Sequence, residues 1–129
     1  MMPRLPITEN QIAAVVAEFY TCIRGHPALG PVFAAHVNDW PSHEEKITRF
    51  WKNAILHERQ YDGNPMAVHR AAGNIRLPMF PVWLGLFDAV LDRQLPAELA
   101  QEWSRLAHRI GQALMFGMQA AGSGPPSLR

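Results

Sequence analysis

The stretch TENQIAAVVAEFYTCIRG, residues 8 to 25, decides the fold class. Thr8 and Gln11 have the spacing of a capping box, in which each side chain satisfies the other residue's backbone N–H at a helix start. Ile12, Val15, Val16, Phe19, Tyr20 and Ile23 then recur at helical offsets and share one apolar stripe. Gly25 is the expected stop. No segment of the chain shows the period-two alternation between hairpin turns that a strand requires, and no internal repeat appears.

Downstream, His26-Pro27 restarts the chain, because proline is welcome at a first helical position, and a short turn or helix carries Leu29, Val32 and Phe33. Val37 to Pro41 read as a loop. A second capping box, Ser42 with Glu45, opens a helix bearing Ile47, Phe50, Trp51, Ala54 and Ile55 and running to about Glu58. Gln60-Tyr61-Asp62-Gly63 is turn chemistry, and Asn64-Pro65 caps a helix of about two turns limited by Gly73. Two prolines make Arg76 to Pro81 resist regular structure. Beyond them Val82, Trp83, Leu86, Phe87, Val90 and Leu91 form an apolar face wide enough for a central, well-buried helix. Pro96 starts the last long helix, with Leu99, Trp103, Leu106, Ile110, Leu114 and Met115 in register until Gly122. The prediction is an all-α single domain over residues 1–129, with four substantial helices, two short ones, and frayed ends at 1–7 and 122–129.

Composition narrows the function. Twelve Lys plus Arg against eleven Asp plus Glu leave a formal charge of +1, so no broad basic field is available for nucleic acid or anionic lipid. The longest strongly apolar run, Phe80 to Phe87, falls far short of the roughly 20 residues that span a bilayer. One cysteine, Cys22, excludes an internal disulfide, and the amino terminus lacks the apolar core of a signal peptide, which makes a reducing cytoplasm the expected location. Near-zero charge and inward-facing aromatics also argue against a cofactor-free DNA-binding module.

Six histidines and four tryptophans in so short a chain raise the question of whether any converge. His69 shares a helix face with Pro65 and Met66 and should point inward, as a satisfied core histidine or as a neutral imidazole metal ligand. His43 stands at the open end of the Ile47–Phe50 stripe, where a solvated residue is a simpler reading than a ligand. Tyr20 reads as a core tyrosine whose hydroxyl bonds a carbonyl. His43-Glu44 and His57-Glu58 begin like H-E-x-x-H, but Ile47 and Tyr61 stand where the second histidine is needed. Hydrolase, phosphate-loop and dinucleotide glycine motifs are all missing. A single-ligand cofactor site is the coherent remainder, with one inward histidine, aromatics around it and polar groups opposite. His26, His36 and His57 read as turn, loop and helix-end residues, His108 as facing solvent or a neighbouring helix, and Trp40, Trp51 and Trp103 as packing.

The ordered set Phe19-Tyr20, Leu29-Gly30-Pro31-Val32-Phe33, Trp40-Pro41-Ser42-His43 with Ile47, Phe50 and Trp51, Tyr61-Asp62-Gly63-Asn64-Pro65 with His69, and Phe80-Pro81-Val82-Trp83-Leu84 resembles the truncated haemoglobins, most closely group III. The resemblance runs in order from about Gln11 to Met118. It implies a two-over-two helical globin fold around haem b, with His69 as the proximal iron ligand and Tyr20, His43 and Trp83 on the distal side. Phe33 would wedge against the porphyrin, while Ile47, Phe50, Val68, Met79, Phe80 and Leu86 line the cleft. Lys46, Arg76 and Tyr61 are the rim candidates for the propionates. Group III lacks the paired glycine motifs of the other groups, and here Gly25 and Gly30 read as isolated turn glycines. Pro41-Ser42 departs from the helix-forming residues expected before the distal histidine and leaves the direction of His43 open.

The implied activity is reversible binding of dioxygen, with nitric oxide, carbon monoxide, cyanide and sulfide as further ligands, by a monomer. The alternative is a haem enzyme for nitric oxide dioxygenation or peroxide reduction, dependent on an external reductase.

Overall fold

The computed structural model describes residues 5–56 and 77–123, with side chains through residue 117; these residues contain helices and no strand. The helices are α1 (Glu9–Gly25), α2 (Leu29–Ala34), α3 (Trp40–Leu56), α4 (Met79–Gln94) and α5 (Ala97–Ser123). The predicted end of α3 near Glu58 and the short helix from Asn64 to Ala72 lie outside the described residues.

The capping box at the head of α1 is formed. Thr8 Oγ1 accepts the Gln11 N–H at 3.1 Å, and Gln11 Oε1 accepts the Thr8 N–H at 2.9 Å. Every predicted stripe residue from Ile12 to Ile23 is buried. At the far end His26 does more than turn the chain: its Nδ1 accepts the N–H groups of Ala28 and Leu29, each at 3.1 Å. An accepting Nδ1 is unprotonated, so this imidazole satisfies donors that would otherwise be orphaned at the start of α2.

Gly30 is also not a turn residue. It lies buried within α2, where a Cβ would stand 2.9 Å from the Arg24 carbonyl oxygen and 3.2 Å from that of Ile23. The missing side chain lets α2 close onto the last carbonyls of α1, and this places Phe33.

Helix α1 packs on α2, α3 and α4, and α4 packs on α5. Two helix pairs, α1 with α3 and α4 with α5, therefore face each other across α1 and α4 in the expected two-over-two arrangement. Their junction is aromatic. Phe87 of α4 lies nearly parallel to Trp83 (5.3 Å, 8°) and Trp51 (5.5 Å, 15°), and it takes edge contacts from Phe19 (4.9 Å) and Trp103 (5.6 Å). Trp103 is fully buried and its indole N–H has no hydrogen-bond partner among the described residues. Such a group costs about 1–3 kcal/mol, which the surrounding ring contacts must offset.

Three expectations change. Val82 is 40% exposed because the face α4 buries runs through Phe80, Leu84, Phe87 and Leu91, and a residue two positions from Phe80 points about 200° away from it. At the amino end Leu5 and Ile7 are buried in the core rather than frayed, since both are apolar and α1 leaves room beside them. At the other end, Gly122 and Ser123 remain within α5.

Replacing Gly30 by alanine should destabilise the fold by about 1–3 kcal/mol, because backbone atoms rather than a flexible side chain meet the new Cβ. A urea-unfolding midpoint equal to that of the parent chain would disprove the close-approach argument.

Candidate functional site

The start of α3 carries His43 into place. Asp39 Oδ1 accepts the Ser42 N–H at 3.2 Å and the Asp39 carbonyl accepts the His43 N–H at 3.0 Å, so Asp39 is the cap. Helix α3 therefore begins before the predicted Ser42–Glu45 box, and Trp40 and Pro41 belong to its first turn rather than to a loop. Proline is tolerated there because no intrahelical partner awaits its missing N–H. The earlier start settles the direction of His43: it is half-buried, on the side of α3 that meets α1 and α2.

Four aromatic rings converge at this point. Tyr20 is buried and meets His43 edge to face at 5.0 Å, Phe33 at 5.8 Å and Trp40 at 6.1 Å. His43 also lies 6.2 Å from Phe33 and 6.0 Å from Trp40. Trp40, predicted to be a packing residue, is thus part of the cluster. The signal that could have found it is its spacing of three residues from His43, but that spacing matters only once both stand on one helix. Trp83, half-buried, is one ring further on: Phe19 touches Tyr20 at 5.2 Å and Trp83 at 5.1 Å.

The remaining predicted residues divide clearly. Phe33, Ile47, Phe50, Met79, Trp83 and Leu86 are partly buried and packed against the core, while Phe80 is buried and Lys46 exposed. Tyr61, Val68, His69 and Arg76 lie outside the described residues.

The electrostatics of the cluster favour neutral groups. Burial pushes the Tyr20 phenol up from its ordinary range, and the Glu44 carboxylate pushes it further. Burial lowers His43, and the Lys46 ammonium adds to that. Both shifts follow from the cost of placing a charge among rings, so tyrosine keeps its O–H as a donor and the imidazole stays uncharged at neutral pH. His43 Nε2 is buried with no hydrogen-bond partner among the described residues. An orphaned polar atom on a ring that meets the buried Tyr20, next to large apolar side chains only half covered by protein, fits an apolar planar group carrying a small polar ligand.

No other constellation among the described residues matches this. His108 Nε2 pairs with Asp88 Oδ2 at 2.8 Å, and Ser104 Oγ donates to Asp88 Oδ1 at 2.7 Å, joining α4 to α5. The open groove beside them, lined by Asp88, Asp92, Ala100, Gln101, Ser104 and Arg105, shares no residue with the aromatic cluster. No group of three or more His, Cys, Asp or Glu is placed to hold a metal, and no helix is long and apolar enough to cross a membrane, among the described residues.

Comparison with known proteins gives consistent results. No protein-family model matches the chain. It is 31% identical over 90 residues to group 3 truncated hemoglobin ctb of Campylobacter jejuni, covering 67% of this chain and 71% of that protein. Its fold is similar to the crystal structure of a group III truncated hemoglobin from Campylobacter jejuni, with a TM-score of 0.82 and 27% identity, covering 88% of this chain and 93% of the other.

The lowered His43 makes a stability prediction. The unfolded chain takes up a proton near the ordinary value of 6.5, whereas the folded chain resists it, so stability is lost as pH falls below 6.5 toward the folded value. His43→Phe should flatten that loss between about pH 7 and 5 in urea-unfolding midpoints. Curves that stay parallel in variant and parent would contradict a buried, neutral imidazole.

Proposed function

The chain belongs to the group 3 truncated haemoglobin family, a family of globin-type haem proteins, and from that premise we propose that it binds haem b through His69 and takes dioxygen and other diatomic ligands beside Tyr20, His43 and Trp83. The observation that carries this reading is the meeting of Tyr20 and His43 at 5.0 Å, with His43 Nε2 buried and unpartnered. When bound, haem supplies an iron that, held by one imidazole, keeps a position open for a small ligand. Everything else is the work of the chain.

Tyr20 contributes a hydroxyl that burial keeps protonated, so it is a donor at every physiological pH. Trp83 offers an indole N–H that can only donate. A hydrogen bond from such a group to a ligand carrying partial negative charge contributes about 1.5–3 kcal/mol. His43 is neutral and can present its Nε2 as donor or acceptor, which suits it to hold or pass a proton beside the ligand. Phe33, Ile47, Phe50, Met79, Phe80 and Leu86, with Val68, supply the apolar lining, and Lys46, Arg76 and Tyr61 stand for the propionates at the rim.

The purified protein supplemented with haem should show a Soret band, and His69→Ala should lose it. A chain that shows no such band after haem addition is not acting as proposed.

Dioxygen release should be slow, and Tyr20→Phe and Trp83→Phe should each speed it by roughly tenfold, the factor that about 1.4 kcal/mol represents. Stopped-flow release rates unchanged in both variants would refute the distal assignment.

A further inference from the structure

The distal cluster is gripped from outside by one cation that the proposed ligand chemistry does not use. Arg24 lies in the last turn of α1. Its Nη2 donates to Glu44 Oε2 at 2.8 Å, and its guanidinium carbon stands 4.4 Å from the centre of the Trp40 ring. Trp40 in turn contacts both Tyr20 and His43. The two side chains that Arg24 holds belong to the residue three before His43 and the residue immediately after it.

We infer that Arg24 is a positioning residue: stacked on Trp40 and paired with Glu44, it latches the first turn of α3 onto the end of α1 and keeps the His43 imidazole against Tyr20, out of water. An exposed ion pair alone does little. Here the same guanidinium also lies on a half-buried indole, and its planar shape allows it to stack and pair at once, which an ammonium cannot do. The tie falls at a point where α3 has least hold of its own. The N–H groups of a helix's first turn have no intrahelical acceptor, so this turn is held by fewer backbone bonds than the helix interior. Among the described residues, the charged and titratable groups around His43 are Tyr20 and Arg24 from α1 and Glu44 and Lys46 from α3; α2 presents the uncharged Phe33.

The consequence for ligand traffic rests on the haem reading, while the latch itself does not. With the latch closed, His43 shields the Tyr20 hydroxyl from solvent. With it open, the first turn of α3 loosens, water reaches Nε2, and small ligands pass more freely.

The test follows the His43 imidazole by nitrogen NMR against pH in the full-length parent, Arg24→Ala, Arg24→Lys and Trp40→Leu. It uses the ferrous carbon monoxide complex, or the chain alone if no haem is taken up. All three variants should keep their helicity by circular dichroism and raise the His43 midpoint by about 0.5 pH unit or more, because the ring becomes hydrated. Carbon monoxide association after flash photolysis should be faster in each. Arg24→Lys and Trp40→Leu keep the local charge, so they separate latching from simple removal of a cation, and they decide the matter should Arg24→Ala fail to fold. A parent-like midpoint in both would overturn the proposal. Raised midpoints in a chain that never acquires a Soret band would sink the haem reading and leave the latch standing.

Discussion

The ring of Phe87 is the contact on which the other helices depend. It is 1% exposed and carries an aromatic neighbour from each long helix: Trp83 of its own α4, Phe19 of α1, Trp51 of α3 and Trp103 of α5. Offset and edge contacts of this kind add about 0.5–1.5 kcal/mol each beyond the area they bury. Their directionality matters as much as their energy. A parallel pair and a perpendicular pair fix a helix's rotation as well as its distance, so one residue sets how four helices are turned toward one another.

That rotation also sets the cluster around Tyr20. Phe19 and Tyr20 are consecutive on α1 and therefore point about 100° apart, one into the Phe87 junction and the other toward α2 and α3. The core junction and the aromatic cluster are thus built on two faces of a single helix. Phe19 touches both Tyr20 and Trp83, so Trp83 is tied to the cluster through the core rather than through a loop. Phe33 reaches the same cluster only because Gly30 lets α2 sit on the carbonyls of Arg24 and Ile23.

Charge is kept at the edge of this arrangement. Among the described residues no charged side chain is fully buried. Tyr20 and His43 are held neutral by burial, while Arg24, Glu44 and Lys46 stand at the rim and act on them from outside. A similar border runs along the other side of α1, where Arg93 Nε and Gln94 Nε2 each donate to Glu18 at 2.6 Å and fasten the end of α4. Exposed pairs of this kind contribute little to stability. They orient helices that the aromatic junction has already brought together.

Among the described residues, the helices and the inward side of most of them were legible in local spacing. The Thr8–Gln11 box, the α1 stripe, its end at Gly25 and the register of α5 through Trp103 and Leu106 all depend on residues three or four apart, and such spacing is legible without any neighbour. The ordered motifs around Tyr20, His43 and Trp83 were enough to mark the family. Where several local signals competed, packing between helices selected among them. Asp39 displaced Ser42 as the cap of α3, because the helix that packs on α1 starts early enough to bring Trp40 onto Tyr20. Val82 was left at the surface, since apolar character does not say which flank of α4 has a partner. Leu5 and Ile7 were drawn into the core, and His26, Gly30, Trp40 and Arg24 acquired roles that depend on groups in other elements. Periodicity and capping are properties of one turn of chain, whereas a contact between α1 and α3 exists only after both helices have been packed.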